Sequence, residues 1–301
     1  MSRVKIIRIP KESFGDGGWA ASLSHHFSRT VDVVLRGYSG YNTSWALKVA
    51  ERIFPPVESG GAPPLAVTVF FGANDACLAD RYSAFQHVPL HEYKQNLQSI
   101  ISFFKKRWPE TVILLITPPP IDEEARLRHP YIENPSGLPE RTNEAAGAYA
   151  QACISVAREC GCPVVDLWIK MQEFPDWQKA YLSDGLHLTP AGNRIVFEEV
   201  VKKLKEQGIS VENLPVDLPL IENIDPSRST KSISGLLTSA YISSKVSFSF
   251  FFELGELRHR YDHGGRIMLE EYHVVLDYGC DHFVKSTVPA ILHGNSLSNS
   301  S

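Results

Sequence analysis

Residues 65–75 read LAVTVFFGAND. From Leu65 to Phe71 the run is apolar apart from Thr68, and it stops at the turn-forming residues Gly72, Asn74 and Asp75. A stretch this short and this continuously apolar fits a strand covered on both faces, as in a parallel sheet flanked by helices. Working outward, similar runs recur at Val31 to Arg36 (VDVVLR), Val112 to Thr117 (VILLIT) and Pro163 to Leu167 (PVVDL), with a weaker one at Val4 to Ile9. The intervening stretches predict helices at Trp19 to Ser28, Thr43 to Ile53, His91 to Trp108, Thr142 to Cys160 and Pro190 to Gln207. The last is the best delimited: Thr189 can cap its start, Pro190 fits its first turn and Gly208 can end it. Strands alternating with helices from Val31 to about Lys205 predict an α/β fold with a parallel sheet.

The whole chain is consistent with this. It has 301 residues, 30 Lys+Arg against 34 Asp+Glu, 43% apolar and 10% aromatic residues. A net charge of -4 gives no reason to expect nucleic acid or an anionic membrane as partner. Five cysteines do not make a disulfide scaffold, and Cys160 and Cys162, separated by Gly161 alone, read as free thiols. The apolar run near the N-terminus is interrupted by Lys5, Arg8 and Lys11, too soon for a signal peptide, so a cytoplasmic location is expected. The aromatic stretch Val246 to Leu254 is well short of the roughly 20 residues a membrane span requires. No metal or organic cofactor is expected, because the histidines show no ligand spacing. Residues 226–301 hold 14 serines and no sustained period, so they read as a Ser-rich, poorly ordered extension to a domain at 1–225.

In an open parallel sheet, ligands bind outside the carboxyl ends of the strands, so the loops there are the place to seek chemistry. After the Val31 strand comes Gly37-Tyr38-Ser39-Gly40-Tyr41-Asn42-Thr43, whose glycines allow close backbone approach. After the Leu65 strand, Asn74 supplies an amide donor and Asp75 a carboxylate, although turns favour these residue types for their own sake. Farther on, Ser183-Asp184-Gly185-Leu186-His187 places a carboxylate three residues before an imidazole. Asp184 could accept from His187 Nδ1–H, fixing the tautomer and leaving Nε2 as a general base. The plainer reading is that Asp184 caps its loop and His187 is a spacer.

Taken together, RGYSGYNTSWAL (36–47), FFGANDAC (70–77) and DGLHLTPAGN (184–193) resemble the SGNH hydrolases, or GDSL esterases and lipases, and especially the plant-like isoamyl-acetate-hydrolysing esterases. The resemblance covers roughly residues 13–225 and implies a flavodoxin-like three-layer α/β/α fold acting on a small-molecule carboxylic ester. It implies that the Gly40 N–H and the Asn74 amide form the oxyanion hole and that Asp184 and His187 complete a catalytic triad. Tyr38 and Tyr41 are expected at the pocket, with Trp45 in core packing because of its helical position.

The family's first block, a Gly-Asp-Ser run carrying the nucleophile, has no counterpart in this sequence. Its serine position falls near Arg8, inside Ile6-Ile7-Arg8-Ile9-Pro10. Arginine stays protonated and offers no nucleophilic oxygen or sulfur. Ser13 is the nearest substitute, but five extended residues span roughly 16 Å, far beyond hydrogen-bond reach. Ser39 reads as a turn residue, and Ser102, spaced from Lys105 as Ser-x-x-Lys, as part of an amphipathic helix. The chain is therefore expected to be inactive or nearly so in acyl transfer. Two origins stay open: an ester-binding pseudoenzyme, or an altered transcript whose first exon and tail are replaced. The second is favoured because both ends depart from the family while the middle matches.

Overall fold

A computed structural model describes residues 2–7, 11–54, 63–130, 134, 136–216 and 221, with the backbone alone for 2–7, 11 and 12. All lie in the first of two compact units, Met1–Ser249; the second, Phe250–Ser301, is outside the described residues, as is the 226–301 extension.

Five strands form one parallel sheet: β1 (Ser2–Ile7), β2 (Val31–Leu35), β3 (Pro64–Phe70), β4 (Val112–Ile116) and β5 (Val164–Val165). Their order is β2-β1-β3-β4-β5, the flavodoxin-like arrangement, with the chain reversing direction of travel across the sheet between β1 and β3. The sequence places all five, although β5 keeps only two residues of the expected PVVDL and the β1 run begins two residues earlier.

The long helices are α1 (Trp19–His26), α2 (Thr43–Ile53), α3 (Leu90–Arg107), α5 (Asn143–Glu159) and α8 (Pro190–Glu206). Three short ones, α4 (Glu123–Arg128), α6 (Leu167–Gln172) and α7 (Trp177–Tyr181), were not legible in the periodicity. Their starts follow local chemistry. Asn42, Asp122, Thr142, Asp166 and Thr189 each accept a backbone N–H from the first turn of α2, α4, α5, α6 and α8. Gly208, at φ +78°, ends α8 as expected.

Successive side chains of β3 and β4 point to opposite faces, and both faces are covered. Ala66, Phe70, Leu114 and Ile116 pack with Trp19, Leu23 and Phe27 of the α1 region and Val196, Val200 and Leu204 of α8. Val67, Val69, Ile113 and Leu115 pack with Leu97, Ile101 and Phe104 of α3 and Tyr149, Cys153 and Val156 of α5. Each fully buried Val, Leu, Ile or Phe among them contributes about 1.5–3 kcal/mol, so the two interfaces hold the three layers together. The consequence for function is positional: the carboxyl ends of β2, β3 and β4 open at one edge of the core.

Candidate active site

The β2–α2 loop is fixed by its neighbours. Gly40 has φ +80°, a left-handed conformation that favours glycine, and its carbonyl accepts from Gln86 Nε2 at 2.9 Å. Fully buried Asp75 ties this loop to the next: its Oδ1 accepts from Thr43 N at 2.9 Å and Thr43 Oγ1 at 2.5 Å, while Oδ2 accepts from Gly72 N at 3.2 Å. Asp75 thus works inside the loop junction, not as a carboxylate at the cleft.

Asn74 is oriented by partners on both ends of its amide. Arg141 Nη2, which can only donate, lies 3.3 Å from Asn74 Oδ1; Asn74 Nδ2 in turn donates to the Tyr41 carbonyl at 2.9 Å. The Tyr41 carbonyl takes one of the two Nδ2 hydrogens.

Asp184 and His187 sit in a tight loop closed by Leu182 and Leu188, which form an antiparallel bridge. Asp184 Oδ1 accepts from the backbone N–H of Leu186 at 3.1 Å and of His187 at 2.8 Å. Its Oδ2 meets the His187 ring at Nδ1, 2.8 Å away. Gly185 makes the turn possible. At φ +86°, any Cβ there would lie 2.3 Å from the Asp122 carbonyl oxygen, and Gly185 O accepts from Asp122 N at 3.0 Å. Burial raises the affinity of Asp184 for a proton, but hydrogen bonds from the His187 ring and backbone, with the charges of His187 and Arg126, outweigh it. The carboxyl is held well below the usual carboxylate range, so it is ionised and able to anchor the imidazole.

Gly40, Asn74, Asp184 and His187 line one cavity of about 640 Å³, with Ser39, Tyr41, Trp45, Phe85 and Arg126 among the other walls. The pair and the donors that the sequence singled out are therefore brought together from three loops. Trp45 is a correction: it is half-buried and faces this cavity, stacking at 6.5 Å on the exposed Phe85. Tyr38 is absent from the lining and packs against Tyr41 instead, at 5.2 Å between ring centres.

The substitute serines fare differently. Ser13 lies in a 3-10 turn at Lys11–Phe14, is buried, lines no part of this cavity, and its Oγ has no hydrogen-bond partner among the described residues, so it does not meet His187. Ser39 does line the cavity, and Ser102 is exposed on α3 away from it. The Arg8 position lies outside the described residues, immediately after the end of β1. Cys77 is buried, and burial pushes its thiol up to about 11, which leaves it protonated and inert. The four described cysteines are free thiols.

A family model described as GDSL-like Lipase/Acylhydrolase matches residues 8–200. The chain belongs to this family. Among its GDSL relatives, an Arabidopsis thaliana GDSL esterase/lipase is 69% identical over 225 residues, covering 74% of this chain and 93% of that protein. The Homo sapiens isoamyl acetate-hydrolyzing esterase 1 homolog is 40% identical over 228 residues, 75% of this chain and 89% of that one. The crystal structure of a lipase/acylhydrolase from Enterococcus faecalis matches with a TM-score of 0.52 at 22% identity, covering 69% of this chain and 97% of that one, and shows the shared fold. The family is one of ester hydrolases, and the SGNH fold and α/β architecture expected from the sequence stand. The family match starts at residue 8, so β1 precedes it.

The sequence missed Arg126, Glu140, Arg141 and Gln86. Arg126 Nη1 donates to Asp184 Oδ2 at 2.8 Å, and both arginines bind Glu140. Burial favours the neutral acid in Glu140, but the two guanidiniums prevail and lower its affinity for a proton. Among the described residues no helix is long and apolar enough to cross a membrane, and no group of three or more His, Cys, Asp or Glu could hold a metal ion.

Proposed function

We propose that the cavity binds a carboxylic ester with its carbonyl oxygen toward the Gly40 N–H and the Asn74 amide, and that this chain turns the ester over slowly or not at all. The reading is carried by the convergence of Gly40, Asn74, Asp184 and His187 on one cavity. Tyr41, Trp45 and Phe85 supply an apolar wall that suits a small or medium hydrocarbon arm of the ester.

In the complete family arrangement a serine attacks the carbonyl while the histidine removes its proton. Here that position falls near Arg8, and arginine forms no acyl-enzyme. Losing the nucleophile of a serine hydrolase costs about 10⁶ in kcat, whereas binding and oxyanion donors alone keep roughly 10³–10⁴ over the reaction in water. What remains for His187 is to accept a proton from water at Nε2 as that water attacks the carbonyl. Collapse of the tetrahedral species then breaks the C–O bond, and the proton on His187 passes to the departing alkoxide.

A serine-reactive fluorophosphonate tests this on the purified 301-residue chain, alongside titration with isoamyl acetate, the ester named for several relatives. Saturable ester binding without covalent labelling is expected. Stoichiometric labelling mapped to one serine would overturn the inactive reading, and absence of ester binding would overturn the ester site. A non-catalytic role, sequestering an ester, follows if binding is tight and residual turnover is nil.

A further inference from the structure

Three buried charged side chains, Arg126, Glu140 and Arg141, stand at the cavity wall or behind it, and none belongs to the sequence motifs. Glu140 Oε1 accepts from three nitrogens: Arg126 Nε at 2.9 Å, Arg126 Nη2 at 2.7 Å and Arg141 Nη1 at 2.8 Å. Arg126 uses its remaining arm on Asp184, at Oδ2 (2.8 Å) and at the carbonyl (3.3 Å). Arg141 uses its remaining nitrogens on the other side of the site: Nε to the Ala73 carbonyl at 2.8 Å, Nη2 to Asn74 Oδ1 at 3.3 Å and to Gln86 Oε1 at 2.8 Å. Gln86 then holds the Gly40 carbonyl. Side-chain exposures of 1% for Glu140, 2% for Arg126 and 4% for Arg141 leave the contacts to Glu140 shielded from water, while Asp184 at the outer end is 26% exposed.

We propose that Glu140 is the hub of a positioning relay, with Arg126 and Arg141 as its arms, that sets the aim of the Asp184–His187 pair and of the oxyanion donors together. The use made of that aim rests on the ester-binding reading above; the coupling itself does not. The site's parts come from three loops: Asp75 and the Asn74–Tyr41 contact already join the β2 and β3 loops, and the Arg126–Glu140–Arg141 cluster joins these to the Asp184–His187 loop. A guanidinium is a rigid planar fork, so a displacement at one arm rotates the other. Both forks meet on a single oxygen of Glu140, whose Oε2 has no partner among the described residues. Movement of either arginine therefore reaches the other through one atom.

A purely stabilising cluster would be an odd choice, because buried ion pairs seldom stabilise more than well-packed apolar residues of the same volume. Two cations and two anions compensate one another here, and every outer arm ends on an atom of the candidate site or on its immediate support.

Nuclear magnetic resonance on the full isotope-labelled chain tests the relay, reading the Asn74 side-chain amide and the His187 ring signals. Arg126→Lys and Arg141→Lys keep the charge and remove the fork. The relay requires crossed effects: Arg126→Lys moves the Asn74 amide, which Arg126 does not touch, and Arg141→Lys moves the His187 ring, which Arg141 does not touch. Glu140→Gln, nearly isosteric, moves both. If each lysine variant disturbs its direct neighbours alone, the relay is overturned. Should the variants not fold, the unmodified chain decides: the Nε–H protons of Arg126 and Arg141 must exchange with water at least about tenfold more slowly than in free arginine, and solvent-rate exchange at either overturns it. Titration with isoamyl acetate separates the two readings. Crossed effects without ester binding remove the ester reading and keep the relay; ester binding without crossed effects does the reverse.

Discussion

Asp184 grips His187 twice: one carboxylate oxygen takes its backbone N–H and the other faces its ring Nδ1, each at 2.8 Å. The backbone contact dictates what an amide would do here. In Asp184→Asn the oxygen must stay on the two backbone N–H groups, so the NH₂ takes the place of Oδ2, between the ring and Arg126. It donates to Nδ1, moving the proton of the neutral ring to Nε2, and it meets the guanidinium donor to donor. The expected results are a change of tautomer in ¹⁵N-histidine spectra and a loss of about 1–3 kcal/mol in urea unfolding.

The proposed function is tested by replacing Ile6, Ile7 and Arg8 with Gly, Asp and Ser, the run that the family resemblance expects near this point of the sequence. Fluorophosphonate labelling at the new serine and a gain in ester hydrolysis of roughly 10⁴-fold or more are expected. A variant that folds, binds ester and remains unlabelled would show that the first block is not the missing part.

Gly185→Ala drives a methyl group to 2.3 Å from the Asp122 carbonyl oxygen at a φ of +86°. Backbone strain of this kind costs about 1–3 kcal/mol. In a domain of this size the melting temperature should fall by roughly 2–4 °C for each kcal/mol, and His187 should lose its separate ring signals as the loop shifts.

Acid should find the buried cluster. The folded-state affinities of Asp184 and Glu140 for protons are both lowered, so their contribution is full above the ordinary carboxylate values of 3.8 and 4.5 and is lost as pH falls through the lower folded values. Urea unfolding carried from pH 7 down to about pH 2 should show this decline setting in below the ordinary carboxylate values. Glu140→Gln should be less stable at pH 7 by about 3–5 kcal/mol, because two guanidiniums then share one counter-charge, and its decline on acidification should be shallower.

The sequence carried the scaffold well because its signals are local. The VILLIT run at 112–117 and the Thr189-Pro190 start of α8 are specified by neighbours in the chain, and they reappear within one or two residues. Asp184 and His187 were legible for the same reason, since three residues suffice to close their contact. The relay was not. Arg126 lies 58 residues from Asp184, and its own surroundings, EEARLR, look like a solvated charged helix until folding buries that one arginine. The short helices α4, α6 and α7 span five or six residues, too few to display a helical period. Trp45 was misplaced because helical position does not reveal which face borders a cavity and which a core.

The central position of β1 also bears on folding. This strand pairs with β2 some thirty residues later and with β3 some sixty residues later, so it is the seam between the edge strand and the remainder of the sheet. During synthesis it emerges before either neighbour and must wait for both, and the wait for β3 makes the joining contacts non-local and slow to form. The residues of β1 thus bear on how readily the sheet assembles, and pulse-labelled hydrogen exchange should find β2 amides protected only after β1 has docked.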